Sequence, residues 1–460
     1  MEATSSDIPL FINGRDIYHD SVFDVVSPGT GEVCWRAVSA TIGDATEAVE
    51  AAQTAFALWS QTKPSTRAQI LYKAADILET NIARHADYMM TEMGADRGTA
   101  QYFVTPGAIA ACRDIAGRIS SVCGSVPAVA REGQSAMVWK EPYGVVLGVV
   151  PWNAPYFFGI RSAATAIATG NTTVIKSSEI TPRCYYELAR VFKEAGLPDG
   201  VFNVVACRPQ DAPSVVNTMI EHPAVRKVNF TAHPNGIGGK NTAIVLEDAD
   251  LEKAAEECLA GAFANAGQIC MSTDRIAVHE SIVSGFTEVL KKHVEKLSQT
   301  SSGPPTVSTA TSKQRLAKLV TSAIDSGAQL VSGLSSQDTL PGASFVPTIL
   351  AKVPLHTPLY SEEAFGPLVS ISTITTDEEA IKFANSTEYG LHAAVFTKDL
   401  RRALAIAKKL DVGAVHINSM TVHDEPTLPM GGVKASGWGR FNAQEGMEEF
   451  LTRKAVTWDD

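Results

Sequence analysis

One cysteine lies in a setting that suits a nucleophile. Cys270 ends the segment 263–270, where a helical stretch gives way to a glycine-containing loop that leads into a strand. At such a position a backbone N–H can point at a bound oxygen while the thiol stays accessible, and the thiolate is the effective nucleophile. A free cysteine is more often a buried apolar residue, so this interpretation depends on what else the chain supplies.

An asparagine follows an apolar run earlier in the chain. Residues 145–150 are continuously apolar, and Pro151, Trp152 and Asn153 come directly after them. A side-chain amide at the end of a buried strand can donate a hydrogen bond to the oxyanion that forms when a nucleophile attacks a carbonyl. The sequence Pro-Trp-Asn alone could be only a turn. It supports an oxyanion-binding site because the chain also contains Cys270.

Charged and aromatic residues at two other points suit a nucleotide. Lys176, Ser178 and Glu179 end the next strand-like run, where a lysine and a glutamate can hold ribose hydroxyls. Glu363 and Phe365 supply a carboxylate and an aromatic ring in one short segment, and a glycine-rich loop spans residues 429–440. Each feature is weak alone, but packing does not readily explain all of them in this order.

Strands that alternate with helices must position these residues. The pattern predicts strands over 145–150, 172–176, 201–205 and 225–230, and helices over 159–168 and 183–195. Such alternation is typical of a doubly wound α/β domain. Ligands bind beyond the carboxyl ends of the strands in these sheets, and Asn153, Lys176 and Thr231 fall at or just after such ends.

A second α/β unit is predicted from residue 241 onward. It has a strand over 242–246, a helix from Asp250 to about Asn265 with Asp248 or Asp250 as its N-cap, and a strand over 275–278. Residues 298–312 are rich in Ser, Thr, Gly and Pro, so an exposed loop is expected there. Residues 448–460 alternate enough to favour an edge strand, and amphipathic helices are expected between 44 and 93.

The composition excludes several classes of function. The chain has 460 residues, enough for two or three domains, and its formal net charge of −11 disfavours nucleic acid and anionic membrane surfaces. No apolar stretch suits a membrane span, and the N-terminal residues lack the features of a signal peptide. The 7 cysteines include no C-x-x-C pair, so neither a zinc site nor a disulfide framework is expected. We therefore expect a cytoplasmic protein that binds no metal.

The order and type of these motifs resemble the aldehyde dehydrogenase superfamily. The resemblance runs from the segment Phe-Ile-Asn-Gly at residues 11–14 almost to the C-terminus. Pro-Trp-Asn-Ala-Pro at residues 151–155 and Ser-Gly-Trp-Gly-Arg-Phe at residues 436–441 favour the NAD-dependent members that act on aromatic aldehydes, of the salicylaldehyde or vanillin dehydrogenase kind.

The resemblance implies the chemistry. Cys270 matches the nucleophile, and Asn153 matches the side-chain donor of the oxyanion hole, with the Cys270 backbone N–H as its partner. The implied reaction oxidises an aldehyde to its carboxylic acid through a thiohemiacetal and a thioester, and a glutamate of the family activates the water that hydrolyses the thioester. Pro151 and Trp152 match the wall beside the cofactor.

The resemblance also implies the cofactor contacts. Lys176 and Glu179 match the contacts to the adenosine ribose, with Ser178 beside them, and the glutamate favours NAD, although NADP is possible. Glu363 and Phe365 match the pair that positions the nicotinamide ribose and ring.

The implied fold is α/β and has three parts. A Rossmann-like NAD-binding domain comprises residues 1–118 and 142–237, and an α/β catalytic domain comprises residues 238–428. A small β oligomerisation arm comprises residues 119–141 and 443–460. These arms pair between subunits in the family, so the resemblance implies a homodimer or homotetramer that acts on a small-molecule aldehyde.

The sequence departs from the family after Thr231. The family continues there with Gly-Ser, a helix and a strand, whereas here only residues 232–237 separate Thr231 from Gly238. About 15–20 residues are missing, roughly the length of a helix-plus-strand unit, and with them the Gly-Ser turn at the pyrophosphate and the glutamate that activates water. Residues 236–239 look superficially like a phosphate loop, but no helical pattern follows them. Phe441 stands where many relatives carry another glutamate.

Three hypotheses account for the gap. The first is a working aldehyde dehydrogenase whose gap is a gene-model or splicing error, which the good match on both sides favours. The second is an enzyme that forms the thioester, hydrolyses it poorly and passes the acyl group to another acceptor. The third is a non-catalytic relative, against which Cys270, Asn153 and Glu363 argue. A transcript read across residues 230–241 separates the first hypothesis from the other two.

Overall fold

The computed structural model describes residues 7–231, 238–300, 303–337 and 340–459. The strands of these ranges are β1 (Asp7–Ile8), β2 (Leu10–Ile12), β3 (Arg15–Ile17), β4 (Val22–Val26), β5 (Val33–Val38), β6 (Gln134–Pro142), β7 (Val145–Val149), β8 (Thr172–Lys176), β9 (Phe202–Val205), β10 (Val225–Phe230), β11 (Asn241–Val245), β12 (Thr273–His279), β13 (Gln329–Ser332), β14 (Thr348–Ala351), β15 (Leu368–Ile374), β16 (His392–Phe396), β17 (Ala414–Ile417) and β18 (Leu451–Asp459).

The α-helices of these ranges are α1 (Ile42–Trp59), α2 (Pro64–Thr80), α3 (Ile82–Met93), α4 (Thr105–Arg118), α5 (Pro155–Ala168), α6 (Pro182–Ala195), α7 (Ala212–Glu221), α8 (Leu251–Phe263), α9 (Val283–Thr300), α10 (Ala310–Asp325), α11 (Pro358–Ser361), α12 (Asp377–Asn385), α13 (Leu400–Ala407) and α14 (Ala443–Glu448). A π-helix (Gly98–Val104) joins directly to α4, and short 3₁₀ turns follow α4 and α8 and precede α14. No helix in the described ranges combines the length and apolar character needed to cross a membrane.

The first large sheet carries the strands that precede Asn153 and Lys176. Its order is β10-β7-β8-β9-β2-β3, and β10, β7, β8 and β9 are parallel. Every residue of β7, β8 and β9 is buried because helices cover both faces of a parallel sheet. Helices α2 to α6 pack on one face and α1 and α7 on the other. The helices packed on both faces therefore hold the strand ends, and with them Asn153 and Lys176, in fixed positions.

The second large sheet carries the loop of Cys270. Its order is β13-β14-β15-β12-β11-β16-β17, and only the β13–β14 pair is antiparallel. Helices α8 and α9 pack over its core, and the Asp250 side chain caps α8 by accepting from the Lys253 N–H over 3.2 Å. The expected α/β fold with a second α/β unit is confirmed.

Two small sheets complete the described chain. β6 and β18 pair antiparallel along their full length, from Gln134 opposite Asp459 to Pro142 opposite Leu451. Near the N-terminus, β1, β5 and β4 form a three-stranded sheet, which the sequence pattern did not predict. The terminal strand expected over 448–460 is confirmed over 451–459, whereas residues 448–450 form the end of α14 and a turn.

Strand β10 forms one edge of the first sheet. In the described residues its hydrogen-bonded neighbour is β7, and its side chains alternate between partly buried and exposed. Val228 is 40% exposed and Phe230 is 49% exposed, which is unusual beside the fully buried strands next to it. The gap expected from the sequence would fall directly after this strand, and residues 232–237 lie outside the described residues.

The loop expected over residues 298–312 is shorter than predicted, and only part of it is exposed. Helix α9 continues to Thr300, and α10 begins at Ala310. Between them Val307 and Ser308 are buried, and Val307 N–H donates to the Ala343 carbonyl over 3.0 Å. Composition predicted irregular backbone but could not show that its polar groups find partners inside the protein.

Candidate active site

Cys270 lies in a tight loop between α8 and β12. Asn265 and Ala266 have left-handed backbone conformations, with φ of 51° and 55°, so α8 ends before Asn265 rather than at it. Gly267 continues the turn at φ 68°. The Asn241 side-chain amide donates to the Cys270 carbonyl over 2.8 Å. The loop is therefore anchored by its backbone while the thiol remains partly exposed.

Asn153 reaches this loop from the other sheet. Its side-chain Nδ2 donates to the Gln268 carbonyl over 2.9 Å, and the Asn265 side chain donates to the Asn153 carbonyl over 3.2 Å. Asn153 is only 5% exposed, and it lines the same cavities as Cys270. An amide carries two N–H donors, so Asn153 can bind the loop and still offer a donor to a substrate oxygen.

Gln268 supports the loop from behind. Its side chain is buried; Oε1 accepts from the Ser308 N–H over 2.7 Å, and Nε2 donates to the Asn265 carbonyl over 3.1 Å. The segment that sequence composition placed in solvent thus braces the loop of the nucleophile. The position of Gln268 in the sequence does not by itself indicate this supporting role.

The surroundings of Cys270 disfavour its thiolate in this state. Burial, helped by the negative charges of Glu363 and Asp424, raises the pKa of the Cys270 thiol to about 12, although the Arg161 charge acts in the opposite direction. The thiolate is the reactive species. Burial of the thiol and the charges around it, rather than its intrinsic acidity, are therefore expected to control its reactivity.

Two cavities meet at Cys270. The larger, of about 790 Å³, lies at the carboxyl ends of the first sheet, and the smaller, of about 70 Å³, is lined mainly by apolar and aromatic groups. Cys270, Asn153, Phe158 and Met430 line both. A group bound in either cavity can therefore reach the thiol.

The large cavity brings together most of the residues singled out for a nucleotide. Among these lining residues are Pro151, Trp152, Lys176, Ser178, Glu179 and Phe365. Lys176 Nζ lies 3.8 Å from Glu179 Oε2, and Ser178 Oγ donates to the same oxygen over 3.4 Å. A cation and a carboxylate side by side at a strand end suit a pair of ribose hydroxyls, which both donate and accept.

Two aromatic rings that line this cavity contact each other edge to face. The rings of Trp152 and Phe365 are 5.7 Å apart and nearly perpendicular, at 84°. Trp152 follows β7, where the Pro151 carbonyl accepts from the Tyr185 hydroxyl. Phe365 has a positive φ of 47°, a strained conformation for an aromatic residue that turns its ring toward Trp152.

Glu363 lies slightly apart from the large cavity. It is 5% exposed, and its Oε1 accepts from the Gly239 N–H over 2.9 Å. A Cβ at Gly238 would overlap the carboxylate, so glycine permits this approach. Glu363 borders a narrow crevice shared with Phe365 and Gly239. The charge of Glu363 thus acts on the Cys270 thiol, but Glu363 does not line the large cavity.

The resemblance to a phosphate loop at residues 236–239 is not tested by the structure. Residues 236 and 237 lie outside the described residues. Gly238 and Gly239 are described, and they contact Glu363 and the Cys270 loop rather than beginning a helix. In the described residues the chain passes from these glycines directly into β11.

One ion pair of the site was not predicted from the sequence. Arg161 on α5 pairs with Asp424, and both side chains are almost fully buried. Arg161 lines the large cavity and Asp424 the small one. The only local indication was a lone arginine in the otherwise uncharged run 155–168, but its partner lies 263 residues away.

Comparison with known proteins identifies the relatives of this chain. The model of the aldehyde dehydrogenase family matches residues 17–235 and 236–456. Vanillin dehydrogenase of Pseudomonas sp. strain HR199 is 38% identical, and the match covers 98% of this chain and 97% of that protein.

Two solved structures superpose closely on this chain. A salicylaldehyde dehydrogenase from Pseudomonas putida G7, crystallised with salicylaldehyde, superposes with a TM-score of 0.93 at 31% identity, over 99% of this chain and 98% of that one. Betaine aldehyde dehydrogenase from Staphylococcus aureus, crystallised with NAD⁺, superposes with a TM-score of 0.91 at 29% identity, over 98% and 95% of the two chains.

Proposed function

The chain belongs to the aldehyde dehydrogenase family, and we propose that it oxidises an aromatic aldehyde to the carboxylic acid with NAD⁺ as electron acceptor. The observation that carries the proposal is the position of Cys270 between two cavities, one suited to a nucleotide and one to an apolar substrate. A nucleophile between substrate and acceptor is the arrangement that the reaction needs.

Cys270 starts the reaction. The thiol first loses its proton to water, and the thiolate sulfur then forms a bond to the carbonyl carbon of the aldehyde while the π electron pair of the C=O moves onto the oxygen. The remaining N–H of Asn153 and the Cys270 backbone N–H stabilise this oxyanion. Because Asn153 is already held by Gln268, its donor is oriented before the substrate arrives.

The large cavity fits a dinucleotide at its adenosine-ribose and nicotinamide ends. Lys176, Ser178 and Glu179 suit the adenosine ribose, and the carboxylate disfavours the extra phosphate of NADP. Trp152 and Phe365 flank the space beside Cys270. Bound NAD⁺ supplies the acceptor for the aldehydic hydrogen and its electron pair, which leaves a thioester on the cysteine. Water then attacks the thioester, breaks the C–S bond and releases the acid.

The small cavity supports an aromatic substrate. Phe103, Phe157 and Phe158 line it together with Ile269 and Met271. Aromatic rings pair well edge to face with other rings, and the relatives named above act on vanillin and salicylaldehyde. The substrate proposed here is of the same chemical class.

A second candidate is an enzyme that acylates Cys270 but hydrolyses the thioester slowly. Both carboxylates that act on the thiol already have partners in the described structure: Glu363 binds Gly239, and Asp424 binds Arg161 and Asn442. The family segment with the water-activating glutamate is missing from the sequence. Such an enzyme would pass its acyl group to another acceptor.

NADH absorbance during the first turnovers separates the candidates. Purified chain is mixed with NAD⁺ and a panel of aromatic and aliphatic aldehydes, beside Cys270→Ala and the control Cys123→Ser, whose thiol is exposed. Sustained turnover that only Cys270→Ala abolishes supports full oxidation. A burst of at most about one NADH per site, also absent in Cys270→Ala, supports slow hydrolysis. Equal rates in Cys270→Ala and the intact chain would refute both.

The domain boundaries, the oligomeric state and the cellular location are also proposals. We propose that residues 1–118 and 142–237 form the NAD-binding domain and residues 238–428 the catalytic domain. We further propose that residues 119–141 and 443–460 form an oligomerisation arm in a cytoplasmic homodimer or homotetramer. The paired strands β6 and β18 support the arm, because they lie outside both large sheets.

A further inference from the structure

A buried glutamate caps a helix to which it does not belong. Glu92, in the last turn of α3, is buried. Its Oε1 accepts from the Arg183 N–H over 2.8 Å, and its Oε2 accepts from the Cys184 N–H over 3.1 Å. These N–H groups belong to the first turn of α6, where a helix leaves its donors without partners. The Glu92 carboxylate therefore satisfies the start of α6 from another element.

The position of this carboxylate is costly for α3. A negative charge in the last turn of a helix opposes the helix dipole, and burial raises the pKa of Glu92 to about 7, although the N–H groups of α6 act in the opposite direction. A local cap for α6 was also at hand, since threonine is a favoured N-cap. Thr181 stands there, but in the described part of the chain it makes no capping hydrogen bond and its buried Oγ1 has no partner. Capping of α6 alone does not explain Glu92.

Glu92 also binds a third element. Its Oε1 accepts from Trp35 Nε1, in β5, over 3.0 Å. The Trp35 ring packs edge to face on Tyr88 of α3, with the ring centroids 6.1 Å apart. The carboxylate thus fixes the start of α6 relative to both α3 and the small N-terminal sheet.

The start of α6 is also the end of a short loop on the large cavity. Residues 177–181 join β8 to α6. Three of them line that cavity, namely Ser178, Glu179 and Ile180. Glu179 is the carboxylate proposed above for the adenosine ribose.

Both ends of this loop are anchored. At the β8 end, the Ser177 N–H donates to the Val205 carbonyl over 2.9 Å. At the α6 end, Glu92 holds the N–H groups of residues 183 and 184. A loop of about five residues between two fixed points has little conformational freedom. The carboxylate of Glu92 therefore helps to set where Glu179 meets the cavity.

We infer that Glu92 is a positioning residue for the adenosine half of NAD⁺, because it holds loop 177–181 in the conformation that binds the adenosine ribose. This inference rests on the proposed function. A loop that is ordered before the cofactor arrives loses less conformational freedom on binding, which raises the affinity. Glu92 lines neither cavity, so it acts through the start of α6. Aldehyde binding and the chemistry at Cys270 should not depend on it.

Calorimetry of cofactor binding without aldehyde tests this inference. Glu92→Gln keeps the volume of the side chain but replaces one acceptor by a donor that opposes a main-chain N–H. It should raise the Kd for NAD⁺ at least about fivefold, because the apparent affinity falls with the fraction of molecules whose loop is in place. The Kd for ADP, which carries the adenosine half alone, should rise by the same factor. Unchanged affinities, or a loss for NAD⁺ without a loss for ADP, would overturn the inference.

Glu187→Gln is the matched control. Glu187 lies on α6 itself, and its carboxylate is 3.5 Å from the Arg183 guanidinium and 3.9 Å from that of Arg84. The variant therefore removes a carboxylate from the same helix without changing the acceptors of its first N–H groups. It should bind NAD⁺ and ADP as the intact chain does. An equal loss of affinity in Glu187→Gln and Glu92→Gln would overturn the inference.

Steady-state kinetics separates positioning from a general loss of structure. In Glu92→Gln the KM for NAD⁺ should rise, while kcat at saturating NAD⁺ and the KM for the aldehyde stay within about twofold of the intact chain. A lower kcat with an unchanged KM for NAD⁺ would contradict the inference. If Glu92→Gln does not fold, Glu92→Asp decides, because it keeps the charge but shortens its reach, and it should weaken NAD⁺ and ADP binding in the same way.

The intact chain distinguishes this inference from the proposed function. If it binds neither NAD⁺ nor ADP, the proposed cofactor is refuted, and the role of Glu92 with it. If it binds both, and the folded Glu92 variant binds both equally well, only the role of Glu92 is refuted.

Discussion

The side-chain amide of Asn153 donates to the Gln268 carbonyl over 2.9 Å. This bond joins the turn after β7, in the first sheet, to the loop that carries Cys270, in the second. The Asn265 side chain returns a bond to the Asn153 carbonyl over 3.2 Å. The distance between nucleophile and oxyanion donor is thus set by contacts between two rigid sheets rather than by a flexible loop.

Removing the Asn153 amide should slow catalysis more than it weakens substrate binding. Asn153→Ala is expected to lower kcat about 100- to 1000-fold, because the lost donor serves the oxyanion rather than the ground-state aldehyde. Steady-state kinetics measures kcat and KM, with the exposed Asn217→Ala as control. A rise in KM at unchanged kcat would assign Asn153 to substrate binding instead.

The reactivity of Cys270 toward iodoacetamide should depend strongly on pH. With a thiol pKa of about 12, the alkylation rate should keep rising beyond about pH 10. Glu363→Gln removes a negative charge that raises this pKa, so its profile should shift to lower pH, whereas Arg161→Met removes a positive charge and should shift it higher. Mass spectrometry of the peptide that contains Cys270 follows the rate. Superimposable profiles would contradict this electrostatic account.

Gly267 is expected to tolerate no side chain. Its φ is 68°, and a Cβ would overlap the Gly366 carbonyl. Gly267→Ala should therefore lower the free energy of unfolding by at least about 2 kcal/mol, from backbone strain and steric overlap together. Urea denaturation measures the loss. Gly29→Ala is the matched control, because a Cβ at Gly29 would have no atom within 4 Å. Equal stability of the two variants would show that the loop adjusts.

The exposed apolar residues of β10 should promote association. Val228 and Phe230 protrude from an edge strand whose hydrogen-bonded neighbour in the described residues is β7, and such edges favour pairing with other chains. Replacing both residues by lysine should reduce concentration-dependent light scattering on heating, with Leu58→Lys, on an exposed helix position, as control. Cooperative unfolding of the intact chain at a high midpoint, without aggregation, would contradict this prediction.

The sequence predicts the elements that carry the site far better than the contacts within it. Strand 145–150 and helix 183–195 agree with the structure to within one residue, because continuous apolar runs and helical spacing report directly on burial. Cys270 and Asn153 were paired through motifs, and they line the same cavities.

The sequence pattern could not predict the long-range polar contacts. Nothing local to Arg161 or Asp424 indicates that they meet across 263 residues. The partial burial of segment 298–312 could not be predicted for the same reason. It depends on a residue distant in sequence, because the Gln268 side chain accepts a hydrogen bond from Ser308 N–H. Composition detects irregular backbone, but only tertiary structure shows where its hydrogen bonds go.

The central claim is that Cys270 takes the acyl group of an aldehyde. Intact-protein mass spectrometry after a brief acid-quenched reaction with NAD⁺ and a hydroxybenzaldehyde tests it most directly. We predict a mass increase of one acyl group, located on the Cys270 peptide, present in Cys123→Ser and absent in Cys270→Ala. An adduct that persists in Cys270→Ala, or oxidation of the aldehyde without any adduct on Cys270 during turnover, would contradict the account.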